Sequence, residues 1–418
     1  MANLTQKLLG SLSPGLRRGL LAVLAEARRR SVPVYLVGGS VRDLLLGKTT
    51  IDVDLAVEGD AIALAQAVAP SLGAEIVVHP NFGTATLKAK DFTVDLATTR
   101  KEIYLRPGAL PQVQPAPLQA DLARRDFTIN AMALGLVGPH WGQIIDPFGG
   151  IEDLSRKALR VLHEASFQDD ATRILRAARY AARFSFQLDP VTKSWLQRDA
   201  GYLAYISGAR LRHEFIRIFQ EEEPEEAIFL LSEWGALHNI HPSLHVSPGT
   251  RQAWPFLQRH APASALPLSY WCLLAPTITP DEVPSLGQRL SLNRRERETL
   301  SSFAHIRDLT SFLAMKRVMP SKVAEALDSQ PEAAVWAMAA LSPPLVRRRL
   351  VRYLREWRWV RPSLRPSDML ALGIPRGPGM REVMALLRAA RLDGRVHNLE
   401  GEKDLLRRWL SRVTRHEQ

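Results

Sequence analysis

Asp52 and Asp54 stand two apart in the run Ile51-Asp52-Val53-Asp54-Leu55. In an extended strand they share one face, while Ile51, Val53 and Leu55 take the other. Two carboxylates on one strand face repel. A divalent cation removes that cost, and such a pair can bridge two cations about 4 Å apart. Upstream lies Val34-Tyr35-Leu36-Val37-Gly38-Gly39-Ser40-Val41-Arg42-Asp43. It reads as a short apolar strand, a glycine turn and a short helix. Without side chains, Gly38 and Gly39 let a phosphate approach bare backbone N–H groups. The positive end of the helix dipole points to the same place. Acids that attract cations beside N–H groups that attract anions predict a metal-dependent site for nucleotide phosphates.

Further residues extend this chemistry. Phe92-Thr93-Val94-Asp95-Leu96-Ala97 alternates as a strand, which makes Asp95 a candidate third carboxylate. Arg124 and Arg125 precede Asp126, and arginines beside a metal–phosphate site suit triphosphate or ribose contacts. Asn130 is placed on the same predicted helix, to contact a sugar or to pack. Asp170 and Arg173 are spaced i, i+3, so a helix puts them on one face. A carboxylate and a guanidinium can satisfy cytosine and adenine, which present an amino donor beside ring acceptors. Uracil and guanine put a carbonyl where the carboxylate needs a donor. The alternative for this pair is a helix salt bridge worth a few tenths of a kcal/mol. Arg176, Arg179 and Arg183 continue a basic stripe that suits a triphosphate, an RNA end or a solvated face.

These residues need a scaffold, and the periodicities outline it. Helices are expected over residues 14–30, 61–72, 121–136, 169–184, 192–203 and 209–220. Strands are expected at 76–78, 84–87 and 92–97. Residues 98–119, with Pro107, Gly108, Pro111, Pro115 and Pro117, read as a loop. After Asp146-Pro147-Phe148-Gly149-Gly150 strand signals fade, apart from residues 159–162. Helical patterns then dominate to the end, with blocks at 293–316, 320–340, 343–360 and 380–413. The fold class expected is α+β: an N-terminal head with a small mixed sheet, then all-α regions.

The chain has 418 residues, 46% hydrophobic and 23% charged, with a formal net charge of +12. That is ordinary for a globular protein of more than one domain. The basic excess favours a polyanionic partner, nucleic acid first. Arg347, Arg348, Arg349, Arg352, Arg355, Arg358 and Arg361 interleave with Tyr353, Trp357 and Trp359, a pattern that suits RNA, although the tryptophans suit helix packing equally. The single cysteine, Cys272, lies in an apolar run and reads as core. It leaves no disulfide framework and no zinc pattern. His163-Glu164 and His213-Glu214 lack a second metal ligand at protease spacing and read as structural. Residues 1–9 lack a signal-peptide core, and no apolar run approaches membrane-spanning length. A cytoplasmic location without membrane contact is expected.

In order and spacing, the motifs resemble the class II tRNA nucleotidyltransferases and bacterial poly(A) polymerases. The first motif is Gly38-Gly39-x-Val41-Arg42-Asp43 with Asp52-x-Asp54. Next come Arg124-Arg125-Asp126-Phe127-Thr128-Ile129-Asn130, then Asp146-Pro147-Phe148-Gly149-Gly150 through Asp153, then Asp169-Asp170-Ala171-Thr172-Arg173. A looser fifth match covers Ser207 to Glu214, and Ser367 to Gly373 with Leu392-Asp393-Gly394 looks like the family's C-terminal block. Asp169 departs from the family's usual Glu. No His-Asp phosphohydrolase motif is present.

The resemblance implies a nucleotidyltransferase head (1–150), a helical neck that reads the base (151–225), a body (226–340) and a tRNA-binding tail (341–418). It implies two Mg²⁺ ions held by Asp52 and Asp54, with Asp52, Asp54 and Asp95 catalytic. Nucleotide contacts are implied for Gly38, Gly39, Arg42, Arg124, Asp126, Asn130, Asp170, Arg173, Arg176 and Arg179, and a hinge at Asp146, Gly150 and Asp153. CTP and ATP would be substrates, and the tRNA acceptor end and elbow the partners. Within the family, complete CCA addition is the first expectation and A-only addition the second. CC-only addition ranks low because residues 100–113 fill the place of the flexible segment such enzymes lack. Poly(A) polymerase ranks below the first two, and a non-catalytic RNA-binding module is the reading from a different class.

Overall fold

The structure is a computed structural model describing residues 4–48, 52–104, 106, 108–109, 111–371, 374 and 377–416. It divides into two compact units, residues 1–240 and 241–418. Ile51, Leu105, Pro107, Leu110, Leu372 and Gly373, which belong to predicted motifs, lie outside the described residues.

The first unit is built on strands β1 (Val34–Val37), β2 (Asp54–Val57), β3 (Glu75–His79), β4 (Thr84–Lys88), β5 (Thr93–Thr98), β6 (Arg100–Ile103), β7 (Gln112–Pro115), β8 (Ala133–Val137) and β9 (Ile144–Ile145). Seven form one mixed sheet in the order β3-β4-β5-β2-β1-β8-β9. β2 and β5 run parallel, and the other pairs are antiparallel. Strand β1, between β2 and β8, is buried along its whole length. One layer over the sheet contains the Pro14–Arg29 and Ala61–Leu72 helices, which pack on each other and on β5. Ser13 and Asp60 cap those helices, so polar residues fix where each begins. On Pro14–Arg29 the residues Leu16, Leu20 and Leu24 form the buried stripe. The Leu118–Ala123 helix sets Leu118 and Leu122 against Tyr35, Val37, Ala56 and Ala133. It thereby anchors the arginines that follow it to the sheet.

Four expectations are corrected. The helix expected at 121–136 is a helix to Ala123, a 3-10 turn at Thr128–Asn130 and strand β8. β8 is buried throughout, and a continuous apolar run reads the same for a buried strand as for a buried helix. The 98–119 loop contains a hairpin, β6 paired with β7; its charged residues hide the alternation. β2 begins at Asp54, so Asp52 stands just before the strand, although the Asp95 N–H still donates to the Val53 carbonyl. The 169–184 helix is broken into Ser166–Asp169 and Thr172–Phe184, with Asp170 extended between them. Asp170 Oδ1 accepts from the N–H and hydroxyl of Thr172, and such a local bond favours a helix start over a helix interior.

From Gly150 to Ile240 the first unit is helical apart from Ala158–Leu159 and Gln187–Leu188, which pair in parallel. Among the described residues the second unit has helices and no strands. Its core includes Trp254, Tyr270, Trp271, Cys272 and Phe303, so Cys272 is a core residue as expected. No helix of the described residues is long and apolar enough to cross a membrane.

Leu122 is fully buried under the arginine-bearing turn. Leu122→Ala should lower unfolding stability by about 2–5 kcal/mol, the range for a leucine cavity in a closed core. Urea denaturation of the full chain measures it.

Candidate active site

Each predicted residue reaches its place through a local device. Gly38 has φ 70° and ψ −134°, a region open essentially to glycine alone. A Cβ there would also lie 2.8 Å from an Arg125 guanidinium nitrogen. Gly39 opens the helix Gly39–Leu45, which carries Arg42. The Ser40 hydroxyl donates to the Asp52 carbonyl at 3.0 Å and so ties that helix to the acidic segment.

A cavity of about 580 Å³ gathers most of the predicted set: Gly38, Gly39, Arg42, Asp52, Asp54, Arg124, Asp126, Asn130, Asp170, Arg173, Arg176 and Arg179 all line it. Asp95 faces a smaller hollow, which shares Asp54, Arg124 and Arg125 with the first. Asp54 and Asp95 are register partners on neighbouring parallel strands. Thr86 donates to Asp95 at 2.5 Å. Burial, then Asp95, then Asp52 push the Asp54 carboxyl up to about 6, against a smaller opposing pull from Arg125.

The other face of the cavity is a lattice of guanidinium and carboxylate groups. Buried Arg42 donates to Asn130 Oδ1 at 2.6 Å, and Asn130 donates to Asp126 Oδ1 at 2.9 Å. Arg176 closes on Asp126 Oδ2 with bonds of 2.8 and 2.6 Å and reaches the Tyr180 hydroxyl at 3.0 Å. Burial raises the Asp126 carboxyl, but Arg176 and Asn130 outweigh it and hold it at about 2. Asp121 accepts from Arg124 at 2.9 and 2.8 Å and from Arg125 at 2.9 Å. Burial raises Asp121 as well, and Arg125 with Arg124 draws it below the usual range. Arg124 also donates to Glu102 at 2.8 Å, and Tyr104 donates to the other Glu102 oxygen at 2.8 Å.

Asp170 and Arg173 both face the cavity with separate partners. Arg210 pairs with Asp170 at 2.7 Å. Arg173 donates to the Ser166 hydroxyl at 2.5 Å and to the Arg124 carbonyl at 2.8 Å. The simple i, i+3 salt bridge is therefore not what orders them. Arg179 is buried beside Glu214, 3.7 Å away. Arg183 remains partly exposed. The stripe is thus the cavity wall over most of its length and not a solvated face. Asp146 lies outside the cavity, where it accepts from the N–H groups of Gly150 and Ile151. Asp153 accepts from Thr128 at 2.5 Å.

Sequence reasoning missed Glu102, Tyr104, Lys48, Tyr180 and Arg217 as lining residues. No local pattern signalled the first two, because the charged residues of β6 hide its alternation and Tyr104 lies just beyond it. Glu214, read as structural in a His-Glu pair, stands within 4 Å of both Arg176 and Arg179.

The donor set suits a hard divalent cation, since Asp52 and Asp54 offer carboxylate oxygens whose mutual repulsion a cation would relieve. Among the described residues no group of three His, Cys, Asp or Glu side chains stands assembled to hold a metal. A cation here would draw its other ligands from water and from phosphate oxygens, as Mg²⁺ commonly does.

Residues 34–160 match the poly A polymerase head domain, and residues 185–247 match the probable RNA and SrmB-binding site of polymerase A. The CC-adding tRNA nucleotidyltransferase of Deinococcus radiodurans is 32% identical over 93% of this chain and 93% of its own length. The A-adding tRNA nucleotidyltransferase of Geobacter sulfurreducens is 35% identical over 89% of this chain, and the match spans 44% of that relative. The Thermotoga maritima CCA-adding enzyme complexed with tRNA-CCA superposes with a TM-score of 0.82 at 27% identity, covering 97% of this chain and 98% of that one.

The raised Asp54 carboxyl has a stability consequence. The unfolded chain ionises this group near 3.8, whereas the native site holds its proton to about 6. Native stability therefore falls as pH rises from about 4 to 6 and stays lowered above, by about 1–2 kcal/mol for a partly exposed group. Asp54→Asn should raise the thermal midpoint at pH 7.5 in chelator and leave it unchanged near pH 4. Thermal melts of the two proteins at both pH values measure this.

Proposed function

This chain belongs to the tRNA nucleotidyltransferase family, and from that premise we propose that it builds the 3′-terminal CCA of tRNA from CTP and ATP without a template. The observation that carries the reading is one cavity joining an acidic pair, an arginine wall and a base-sized polar pair. Asp52 and Asp54 would hold two Mg²⁺ ions, which when bound activate the attacking hydroxyl and neutralise the triphosphate. Asp95 acts on the same carboxylate cluster through its neighbour Asp54.

Arg124, which Asp121 and Glu102 hold in place, presents its charge to the phosphates. Gly38 and Gly39 leave backbone there for close approach. Arg42, Asn130 and Asp126 form a linked row suited to ribose hydroxyls, with Arg176 and Arg179 beside it. Asp170 accepts from the amino group that cytosine and adenine share, and Arg173 donates to the ring acceptors. Its bonds to Ser166 and to the Arg124 carbonyl fix the guanidinium so that little entropy is lost on binding.

We keep the fourfold division as a functional proposal: head 1–150, neck 151–225, body 226–340 and tail 341–418. Asp146, Gly150 and Asp153 form the hinge between the first two. Partners are the tRNA acceptor end and elbow, met in the cytoplasm. A second reading, addition of the terminal A alone, is favoured by the 35% identity to the A-adding Geobacter relative.

Transcripts lacking the last three nucleotides, or only the last one, and offered each triphosphate separately, test the reading. Incorporation of C into the first and A into the second supports CCA addition, and A into the second alone supports A-only addition. Asp52→Asn should lower the rate at least about a hundred-fold, because metal-assisted charge stabilisation is worth several kcal/mol. An unchanged rate would leave only a binding module.

A further inference from the structure

The arginine-rich stretch from Arg347 to Arg361 separates, in the structure, into a part that packs and a part that faces water. Arg347 donates to the carbonyls of Ala339 and Ala340, and Arg349 to those of Leu313 and Met315. These two arginines satisfy the ends of neighbouring helices. Trp357 is 8% exposed and packs. Trp359, two residues on, is 63% exposed. Large aromatic rings left so open are uncommon, since their burial is strongly favourable.

Trp359 is nevertheless held. Its indole N–H donates to the Leu354 carbonyl at 3.2 Å, and the Arg358 guanidinium carbon lies 4.9 Å from its ring centroid. Arg358 is itself drawn to Glu332 at 3.3 Å. Arg388 donates to the carbonyls of Val360 and Trp357, fixing the backbone on either side. Arg348, Arg352, Arg355 and Arg361 are exposed on the same stretch. A pre-positioned ring with Arg358 against it, on a stretch carrying four further exposed arginines, is what a nucleobase and its flanking phosphates require. An apolar protein partner would not draw on this much positive charge.

We propose that Trp359 is a stacking platform for an unpaired or splayed base of RNA, with Arg358 beside the ring and the exposed arginines of the same stretch attracting the RNA backbone. The proposal rests on the reading of this chain as a protein that acts on tRNA. It adds that the contact is to an exposed base and not to a paired helix, since stacking needs a free base face.

The test measures tRNA affinity and steady-state kinetics of the full chain for Trp359→Ala and Trp359→Phe. Loss of one base stack weakens binding on the order of ten-fold. Trp359→Ala should therefore raise Kd and KM for tRNA by about that factor, leave kcat unchanged and keep the thermal midpoint. Trp359→Phe, which retains a ring face, should recover most of the affinity. A fully paired RNA duplex without loops should bind wild type and Trp359→Ala alike. Equal tRNA affinity for wild type and Trp359→Ala overturns the proposal, as does an equal loss on the duplex. If wild type itself neither binds nor extends tRNA, the functional reading fails, a result separable from failure of the platform.

Discussion

One buried carboxylate joins the two walls of the cavity. Asp126 lies between the Leu118–Ala123 helix and the turn that leads into β8, and Arg176 lies on the helix Thr172–Phe184, fifty residues later. Their two hydrogen bonds are closed to water on the carboxylate side, where Asp126 is 8% exposed, while the Arg176 side chain is 26% exposed. Such a pair adds little net stability, since both ions lose their hydration on burial. It specifies geometry instead: either ion left alone in that site is costly, so the helix cannot shift without breaking the pair. Asn130 and Arg42 extend the constraint back to the glycine turn. The Asp170–Arg173 end of the helix and the Gly38–Gly39 turn therefore keep one spacing.

The same site pushes its carboxylates in opposite directions. Asp126 and Asp121 stay ionised because guanidinium groups outweigh burial. Asp54 is raised because burial and two like neighbours outweigh Arg125. Separated pKa values within one cavity mark separated tasks. The low pair positions arginines permanently. A cation beside the high one would relieve the repulsion with Asp95 and Asp52. An acid wall and a basic wall face one cavity, so it can accept both signs of charge.

Much of this was legible in the sequence. The Gly38-Gly39 turn, the alternation that sets Asp54 apart from Val53 and Leu55, and the strand that carries Asp95 as a third carboxylate are retained, while Asp52 falls just before the strand. The failures share a physical origin. Ala133–Val137 is buried on both sides, so its apolar run carries no periodicity to separate strand from helix. Arg100–Ile103 is a strand whose Arg-Lys-Glu residues are ordered by partners distant in sequence, Phe82, Asp121 and Arg124 among them. Asp170 reads as a helix residue by spacing, while its own side chain caps the helix that follows. Contacts between Arg210 and Asp170, or between Arg173 and the Arg124 carbonyl, join segments dozens of residues apart, and no local pattern encodes them.

Arg179 is buried without saturating its hydrogen bonds. It is 4% exposed, and its Nε and one terminal nitrogen have no hydrogen-bond partner. Glu214 lies 3.7 Å away with an unbonded oxygen of its own, so the two attract without saturating each other. Burial pulls the guanidinium below its ordinary range, more than Tyr180 and Glu214 restore. Arg125 likewise leaves its Nε unbonded. Buried donors without acceptors cost about 1–3 kcal/mol each, more when charged. Both of these line or border the one cavity that also holds the acidic pair. Arg347 and Arg349, by contrast, find carbonyl acceptors, so the unsaturated charge of Arg179 and Arg125 stays at the cavity wall, where it favours anions.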